Sequence, residues 1–231
     1  MFEISPAEWT AILLSLRVAV IATLVATPFG IALAWLLARH EFWGKSILDA
    51  LVHLPLVLPP VVTGYLLLLT FGRRGLVGAW LADNLGIVFA FRWTGAALAC
   101  GVMSFPLLVR PIRLSIEAVD RRLEQASSTL GAAPWQVFAT VTLPLALPGV
   151  LAGMVLGFAK AIGEFGATIT FVSNIPGETQ TISSAIYSLI QTPDGDAAAM
   201  RLVLISVVIA TAALIASEWF ARRATQRLHG N

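Results

Sequence analysis

The residue types that usually carry catalysis or metal binding are scattered along this sequence. His40, His53 and His229 lie far apart with no metal-ligand spacing between them, which argues against a metal site. Gly44-Lys45-Ser46 matches the end of a phosphate-binding loop, but the earlier glycine of that motif would fall at position 39, which is Arg39. No Ser-His-Asp or similar nucleophilic set can be assembled from the sequence. We therefore predict that the chain is not an enzyme and holds no metal or cofactor of its own.

Two spacings do indicate a special use. Lys160 and Glu164 lie four residues apart in an apolar stretch, where charged side chains are costly in a membrane and often functional. A pair that simply neutralises itself near the interface is the alternative interpretation. Three glycines recur every four residues and predict a stripe for close helix contact, used for packing inside the subunit, for a subunit interface or as the wall of a permeation path. They are Gly149, Gly153 and Gly157.

The composition indicates that these residues belong to a membrane protein. Of the 231 residues, 58% are hydrophobic and 12% are charged, whereas soluble domains have roughly 45–50% and 25%. The basic residues behind the net charge of +2 are scattered singly or in pairs, so we do not expect nucleic-acid binding. The length fits about five membrane-spanning helices of roughly 20 residues with short connections.

Five apolar segments predict an all-α protein with about five transmembrane helices. They are residues 18–38, 50–71 with a kink in its Leu-Pro-rich first half, 93–109, about 143–162, and 202–217 followed by an aromatic anchor at Trp219 and Phe220. The apolar segment 165–191 is interrupted by Gly and Pro, so a re-entrant segment, a sixth span and short helices inside the bundle all stay open. Arg17, one turn inside the first helix, is expected to snorkel to the outer interface; a side chain that faces a pore is the alternative.

The distribution of Lys and Arg predicts the orientation, because cytoplasmic connections carry the excess of positive charge. With the N-terminus outside, nine of the 15 Lys and Arg residues fall in inner connections and four in outer ones, while Arg17 and Lys160 lie inside spans. We therefore predict an external N-terminus, a cytoplasmic C-terminus and a cytoplasmic loop at 110–142.

Within this loop, residues 123–135 predict a short helix that ends at Gly131, then a turn, then a second helix that begins at Pro134. The small and apolar residues of this segment need a partner. A short amphipathic helix that inserts into a groove on another protein would meet that need. An interfacial helix lying on the lipid is the alternative.

The loop resembles that of the permease subunits of ATP-binding-cassette (ABC) importers. Their pattern is Glu-Ala-Ala, three residues, Gly, nine residues and Ile-x-Leu-Pro, and its second half is matched by Gly131 and by Val141-Thr142-Leu143-Pro144. In the first half Gln125 stands at the glutamate position, and Glu124 lies one residue earlier. The resemblance implies an ATPase-coupling loop with these residues: Glu124, Gln125, Ala126, Gly131, Pro134, Leu143 and Pro144.

Further segments resemble one branch of these importers, the molybdate permeases, and the similarity extends over about residues 8–219. The matching segments are 53–65, 71–75 and 163–182. Sulfate permeases share a related Gly-Glu-Phe-Gly-Ala segment and a Gly-Glu-Thr loop, and tungstate has nearly the size and charge of molybdate. Tungstate and sulfate therefore stay open as substrates.

The resemblance implies a type I importer permease fold in the inner membrane, as one domain over 1–231 with its core at about 8–219. It also implies two copies of this chain, two cytoplasmic ATPase subunits that hold ATP and Mg, and an external binding protein for the oxyanion. The glycine row is then a packing or dimer interface. Polar residues near the matched segment could line the translocation path: Thr168, Thr170, Ser173 and Asn174.

A stand-alone secondary transporter is the competing class of function. Such a transporter should contain internal repeats with interrupted helices in corresponding positions. The only similarity of this kind in the sequence is between the Leu-Pro-rich segments 54–59 and 143–148. A transporter of this class would also have no use for an exposed small-residue loop.

Overall fold

The computed structural model describes residues 4–229, with side chains described up to residue 216. All regular secondary structure in this part of the chain is helical. The helices are α1 (Pro6–Arg39), α2 (Lys45–Val57), α3 (Pro60–Phe71), α4 (Leu76–Leu85), α5 (Trp93–Ala118), α6 (Arg121–Thr129), α7 (Pro134–Val137), α8 (Leu143–Ile162), α9 (Gly166–Val172), α10 (Ile182–Leu189) and α11 (Asp196–His229), and a π-helical turn, Phe138–Thr142, joins α7 to α8.

Four stretches of helix are long and apolar enough to cross a membrane. They are α1, α5, the continuous run Pro134–Ile162 and the part Asp196–Ala216 of α11. The α2 and α3 helices make a fifth candidate span that is bent by 115°. Pro59 and Pro60 lie at this bend and remove backbone donors there, so one straight helix cannot continue through it. The prediction of about five spans with a break in the second is confirmed.

The helices extend further than the apolar segments from which they were predicted. Helix α1 begins at Pro6 instead of residue 18, because Ser5 and Glu8 form a capping box in which the Ser5 amide donates to the Glu8 carboxylate at 2.6 Å. The buried Glu8 carboxylate also pairs with Arg201 of α11 at 3.0 Å. Helix α5 continues to Ala118 instead of ending at 109. The fifth predicted helix begins earlier, at Asp196, and the side chains of the expected aromatic anchor lie outside the described ones.

The segment 165–191 forms two short helices, and neither is long enough to cross a membrane. Helix α9 lies between α3 and α5, where Phe171 and Val172 are fully buried. Helix α10 packs on α1 and α11, and the Ile182 amide at its start donates to the Ser15 hydroxyl of α1 at 2.7 Å. Of the three alternatives, the structure therefore has short helices packed inside the bundle. The short helix α4 was not predicted.

The glycine row of α8 faces helix α5 of the same chain. A Cβ atom on Gly149 would lie 2.6 Å from the Pro111 carbonyl oxygen, and one on Gly153 would lie 2.5 Å from the Leu108 carbonyl oxygen. At Gly157 the nearest atoms belong to the Leu108 side chain at 3.5 Å, an ordinary contact. The first two glycines therefore allow backbone contact between the two helices at the centre of the bundle.

Candidate coupling loop and translocation segment

The loop between α5 and α8 has the predicted helix–turn–helix form. The Asp120 carboxylate caps α6 by accepting from the Arg122 amide at 2.9 Å. The helix is followed by Gly131 at φ +89°, a left-handed conformation that glycine adopts without strain. Pro134 occupies the first position of α7. The predicted ends of both helices are confirmed.

Glu124 binds helix α6 to two of the membrane-spanning helices. One oxygen of its carboxylate accepts from Arg39 Nη2 at 3.0 Å, from Arg39 Nε at 3.2 Å and from the Thr142 hydroxyl at 2.6 Å. Arg39 Nη2 also donates to the Val119 carbonyl at 3.1 Å. The side chains of Arg39 and Glu124 are only 10% and 18% exposed. The loop is thus joined to the end of α1 and to the start of α8.

The glutamate that pairs with Arg39 is Glu124, whereas the family pattern places its glutamate one residue later, at Gln125. Gln125, in that register, is exposed and lines a cavity of about 500 Å³ between α6, the end of α1 and α7. The Trp35 ring also lines this cavity and stands edge-on to His40 at 4.7 Å and to Phe138 at 5.7 Å. Arg39, which ends α1 and precedes Glu124 by 85 residues, was not predicted as part of the site because no local pattern connects it with the loop.

The other predicted coupling residues divide into exposed and packed ones. Ala126, Gly131, Pro134 and Pro144 are exposed, while Leu143 is half-buried and packs against the core between α1, α5 and α8. Two large apolar side chains near them are also exposed: Leu130 at 89% and Trp135 at 70%. Exposed apolar groups gathered on a polar loop are typical of a protein interaction surface.

The charged pair at the end of α8, Lys160 and Glu164, serves a structural purpose. Glu164 is buried; one of its oxygens pairs with Lys160 Nζ at 2.6 Å and the other accepts from the Ala167 amide at 3.1 Å. The carboxylate therefore caps the start of α9 and is neutralised by its neighbour one turn earlier. This arrangement corresponds to the self-neutralising interpretation of the pair.

Most polar side chains proposed for a translocation path already have partners. Thr168 and Thr170 donate to carbonyl groups of their own helix at 2.9 Å. Asn174 Nδ2 donates to the Ser188 hydroxyl at 2.6 Å. Ser173 is exposed and adopts φ +65°. The structure thus places these four residues along and just after α9, but with few free donors.

Two buried polar atoms on either side of α9 lack a hydrogen-bond partner within the described residues. They are the Thr63 hydroxyl and the Asn174 side-chain oxygen. Thr63 lies on α3 beside Gly64, where a Cβ atom would meet the Ala167 carbonyl oxygen of α9 at 2.5 Å. Thr63 was not predicted as a site residue, although it is a polar residue in the apolar α3 helix and lies in the segment 53–65 that resembles the molybdate permeases.

The fold and the loop together define a class of protein. Long apolar helices pack with a broken span and two short helices, and the loop between α5 and α8 is helical and carries exposed apolar groups. This is the arrangement of a transport permease driven by a separate subunit.

Comparisons with known proteins show the family. The chain matches the family described as binding-protein-dependent transport system inner membrane component over residues 26–226, and it belongs to that family. It is therefore a multi-pass inner-membrane permease component and not an enzyme.

The molybdenum transport permease ModB of Escherichia coli (strain K12) is 61% identical over 95% of this chain and 96% of its own length. ModB of Haemophilus influenzae is 56% identical over 96% of both chains. The sulfate permease CysT of E. coli is 36% identical over 91% of this chain and 75% of its own length.

Solved structures share the fold at low sequence identity. A chain of a bacterial ABC transporter involved in the import of alginate superposes with a TM-score of 0.74 at 20% identity, covering 95% of this chain and 80% of that one. The MetNI methionine ABC transporter gives 0.66 at 15% identity, with 96% and 99% covered. The fold is thus that of type I ABC importer permeases.

Proposed function

We propose that this chain is the molybdate permease of an ABC importer. The observation that carries this proposal is the identity of 61% and 56% to molybdenum permeases, against 36% to a sulfate permease. Tungstate has nearly the same size and charge as molybdate and is the competing substrate to be tested.

Two copies of the chain would form the translocation path, with one ATPase subunit under each copy. ATP and Mg would be held by those ATPase subunits, and a molybdate-binding protein would deliver the anion from outside. The proposed orientation has α1 entering from the external side. It is supported by the contact of Arg39, at the far end of α1, with Glu124 in the loop that carries the exposed apolar groups.

The coupling step follows from the attachments of α6. Leu130 and Trp135 would insert into a groove of the ATPase subunit, as exposed apolar side chains on a short helix favour. The carboxylate of Glu124 holds α6 to α1 and α8 at the same time. A displacement of the loop by the closing ATPase dimer would therefore move both spans together and convert the permease between inward-facing and outward-facing states.

We assign the translocation path to the face of the α9 segment, with Thr168, Thr170, Ser173 and Asn174 as its polar groups and Thr63 as an addition from α3. The neutral Lys160–Glu164 pair supports this assignment, because an unpaired buried carboxylate here would repel a dianion. The buried Thr63 hydroxyl, which has no partner among the described residues, would donate to an oxyanion that reached it.

The proposal is tested by reconstituting the chain in proteoliposomes with its ATPase and its binding protein. ATPase activity is measured with the binding protein loaded with molybdate, tungstate or sulfate in turn. We expect the strongest stimulation with molybdate. Stronger stimulation with another anion would change the substrate, and no stimulation together with ion flux through this chain alone would indicate a stand-alone transporter.

A further inference from the structure

A deep apolar groove lies between α1, α2 and α5. It has a volume of about 650 Å³, and its walls are almost entirely aliphatic and aromatic, with Thr94 as the one hydroxyl side chain. Along α5 the groove extends from Trp93 to Phe105, which is roughly 18 Å of helix. One leaflet of a bilayer has a hydrocarbon depth of about 15 Å, half of the full core. The groove therefore has the depth of one leaflet.

A fixed positive charge stands at one end of this groove. The guanidinium carbon of Arg17 lies 3.8 Å from the centre of the Trp93 ring, and Trp93 itself lines the groove. The side chain is exposed, and no carboxylate in the described part of the chain pairs with it. The prediction that Arg17 only snorkels to the interface thus omitted a specific partner, the Trp93 ring, which holds the cation over the mouth of the groove.

The charge lies far from the coupling loop. Arg17 precedes Arg39 by 22 residues on the same helix, a distance of roughly 33 Å. The mouth of the groove is therefore at the opposite membrane surface from Glu124. An exposed arginine at the membrane surface can pair with the phosphate of a lipid headgroup, because its guanidinium forms charge-assisted hydrogen bonds with phosphate oxygens.

We propose that the groove is a binding site for one anionic phospholipid. An acyl chain lies along α5 between α1 and α2, and the phosphate pairs with Arg17. A cation at the membrane surface next to an apolar groove one leaflet deep matches, in charge and shape, a ligand with an anionic head and a long apolar tail. A helix of a second copy of the chain would fill the apolar part but would not supply the anion.

The test uses the purified importer complex in mild detergent, with phosphatidylglycerol as the probe. Retained lipid is counted by native mass spectrometry, and affinity is measured by titration with phosphatidylglycerol. We expect one tightly retained phospholipid per chain. Arg17→Gln should weaken the affinity roughly tenfold, the value of one charge-assisted hydrogen bond, whereas Arg74→Gln, an exposed arginine after α3, should leave the affinity unchanged.

A second pair of variants tests the apolar part without disturbing the core. Val25 lines the groove and is 58% exposed, and its neighbour Leu24 is 55% exposed but does not line the groove. Val25→Trp should expel the lipid and Leu24→Trp should retain it. Equal retention by these two variants would overturn the proposal. So would efficient disulfide cross-linking of two chains through Val25→Cys without any bound lipid, which would make the groove a subunit interface.

Discussion

The attachment of the coupling loop through Glu124 leads to a quantitative prediction. Glu124→Gln keeps the shape of the side chain but removes the charge that accepts from Arg39 and Thr142. An exposed ion pair contributes about 0–1 kcal/mol, and removing one partner of a fully buried pair costs about 3–5 kcal/mol. With exposed fractions of 10% and 18%, this pair lies between those limits, so we expect a loss of about 2 kcal/mol in the free energy of unfolding.

The loss should appear as a lower melting temperature of the purified complex, by roughly 4–8 °C at 2–4 °C per kcal/mol for a chain of this size. A matched control is Glu117→Gln, which breaks the i,i+4 pair with Arg113 on α5, where the glutamate is 39% exposed. That change should cost only about 0.5 kcal/mol. Arg39 and Glu124 contact each other, so the effects of changing them should not add. The loss of stability in the double variant Arg39→Gln/Glu124→Gln should be about 1–2 kcal/mol smaller than the sum of the losses in the two single variants.

The same variant should uncouple transport. When α6 is no longer tied to α1 and α8, ATP hydrolysis should continue at its basal rate while its stimulation by the loaded binding protein falls.

Two results would refute the reasoning: melting temperatures that are equal for Glu124→Gln and Glu117→Gln, or strictly additive effects of the Arg39 and Glu124 changes.

Three further predictions concern α8 and the coupling loop. Gly153→Ala should lower the stability by about 1–3 kcal/mol, because its Cβ would lie 2.5 Å from a backbone carbonyl oxygen of α5. Gly157→Ala should be nearly neutral, because the nearest atoms there lie at 3.5 Å. Similar melting temperatures of the two variants would contradict this packing. Gly131→Ala should lower the stability by about 1–2 kcal/mol, because alanine is strained in the left-handed conformation of this residue, and it should reduce the stimulation of the ATPase. Gly131→Asn should retain that stimulation, because asparagine tolerates the conformation. An equal loss of stimulation in both variants would exclude backbone strain as the cause. Lys160→Met should destabilise the protein by about 2–3 kcal/mol, because the Glu164 carboxylate stays buried and loses its partner, while the lysine itself is 29% exposed. Glu164→Gln in the same chain should restore part of the stability, and a double variant that unfolds at a lower temperature than Lys160→Met would argue against the pair.

The helix–turn–helix form of the coupling loop was predictable because the residues that end and begin its helices act locally. The left-handed glycine at 131 and the proline at 134 act within a few residues of their own position, and each terminates or begins a helix wherever the segment lies. The spans were also predictable, since about 20 apolar residues in a row satisfy the length of the hydrocarbon core by themselves.

The ends of the helices were less predictable for a different reason. Helix α1 begins 12 residues before the predicted start, and its first turn contains Glu8, which an apolar-segment search excludes. The charge is acceptable there because Arg201 of α11 lies 3.0 Å away, and 193 residues separate the two in sequence. Polar helix ends depend on such distant partners.

The sequence by itself determined that the chain is an all-helical membrane protein, where its coupling loop turns, and to which family it belongs, because hydropathy, turn residues and motif spacing are properties of neighbouring residues. Only the tertiary structure decided that Glu124 and not Gln125 anchors the loop, that the segment 165–191 folds inside the bundle, and that Arg17 stands over an apolar groove. Each of these depends on which helices become neighbours, and that is settled by packing among residues far apart in the chain.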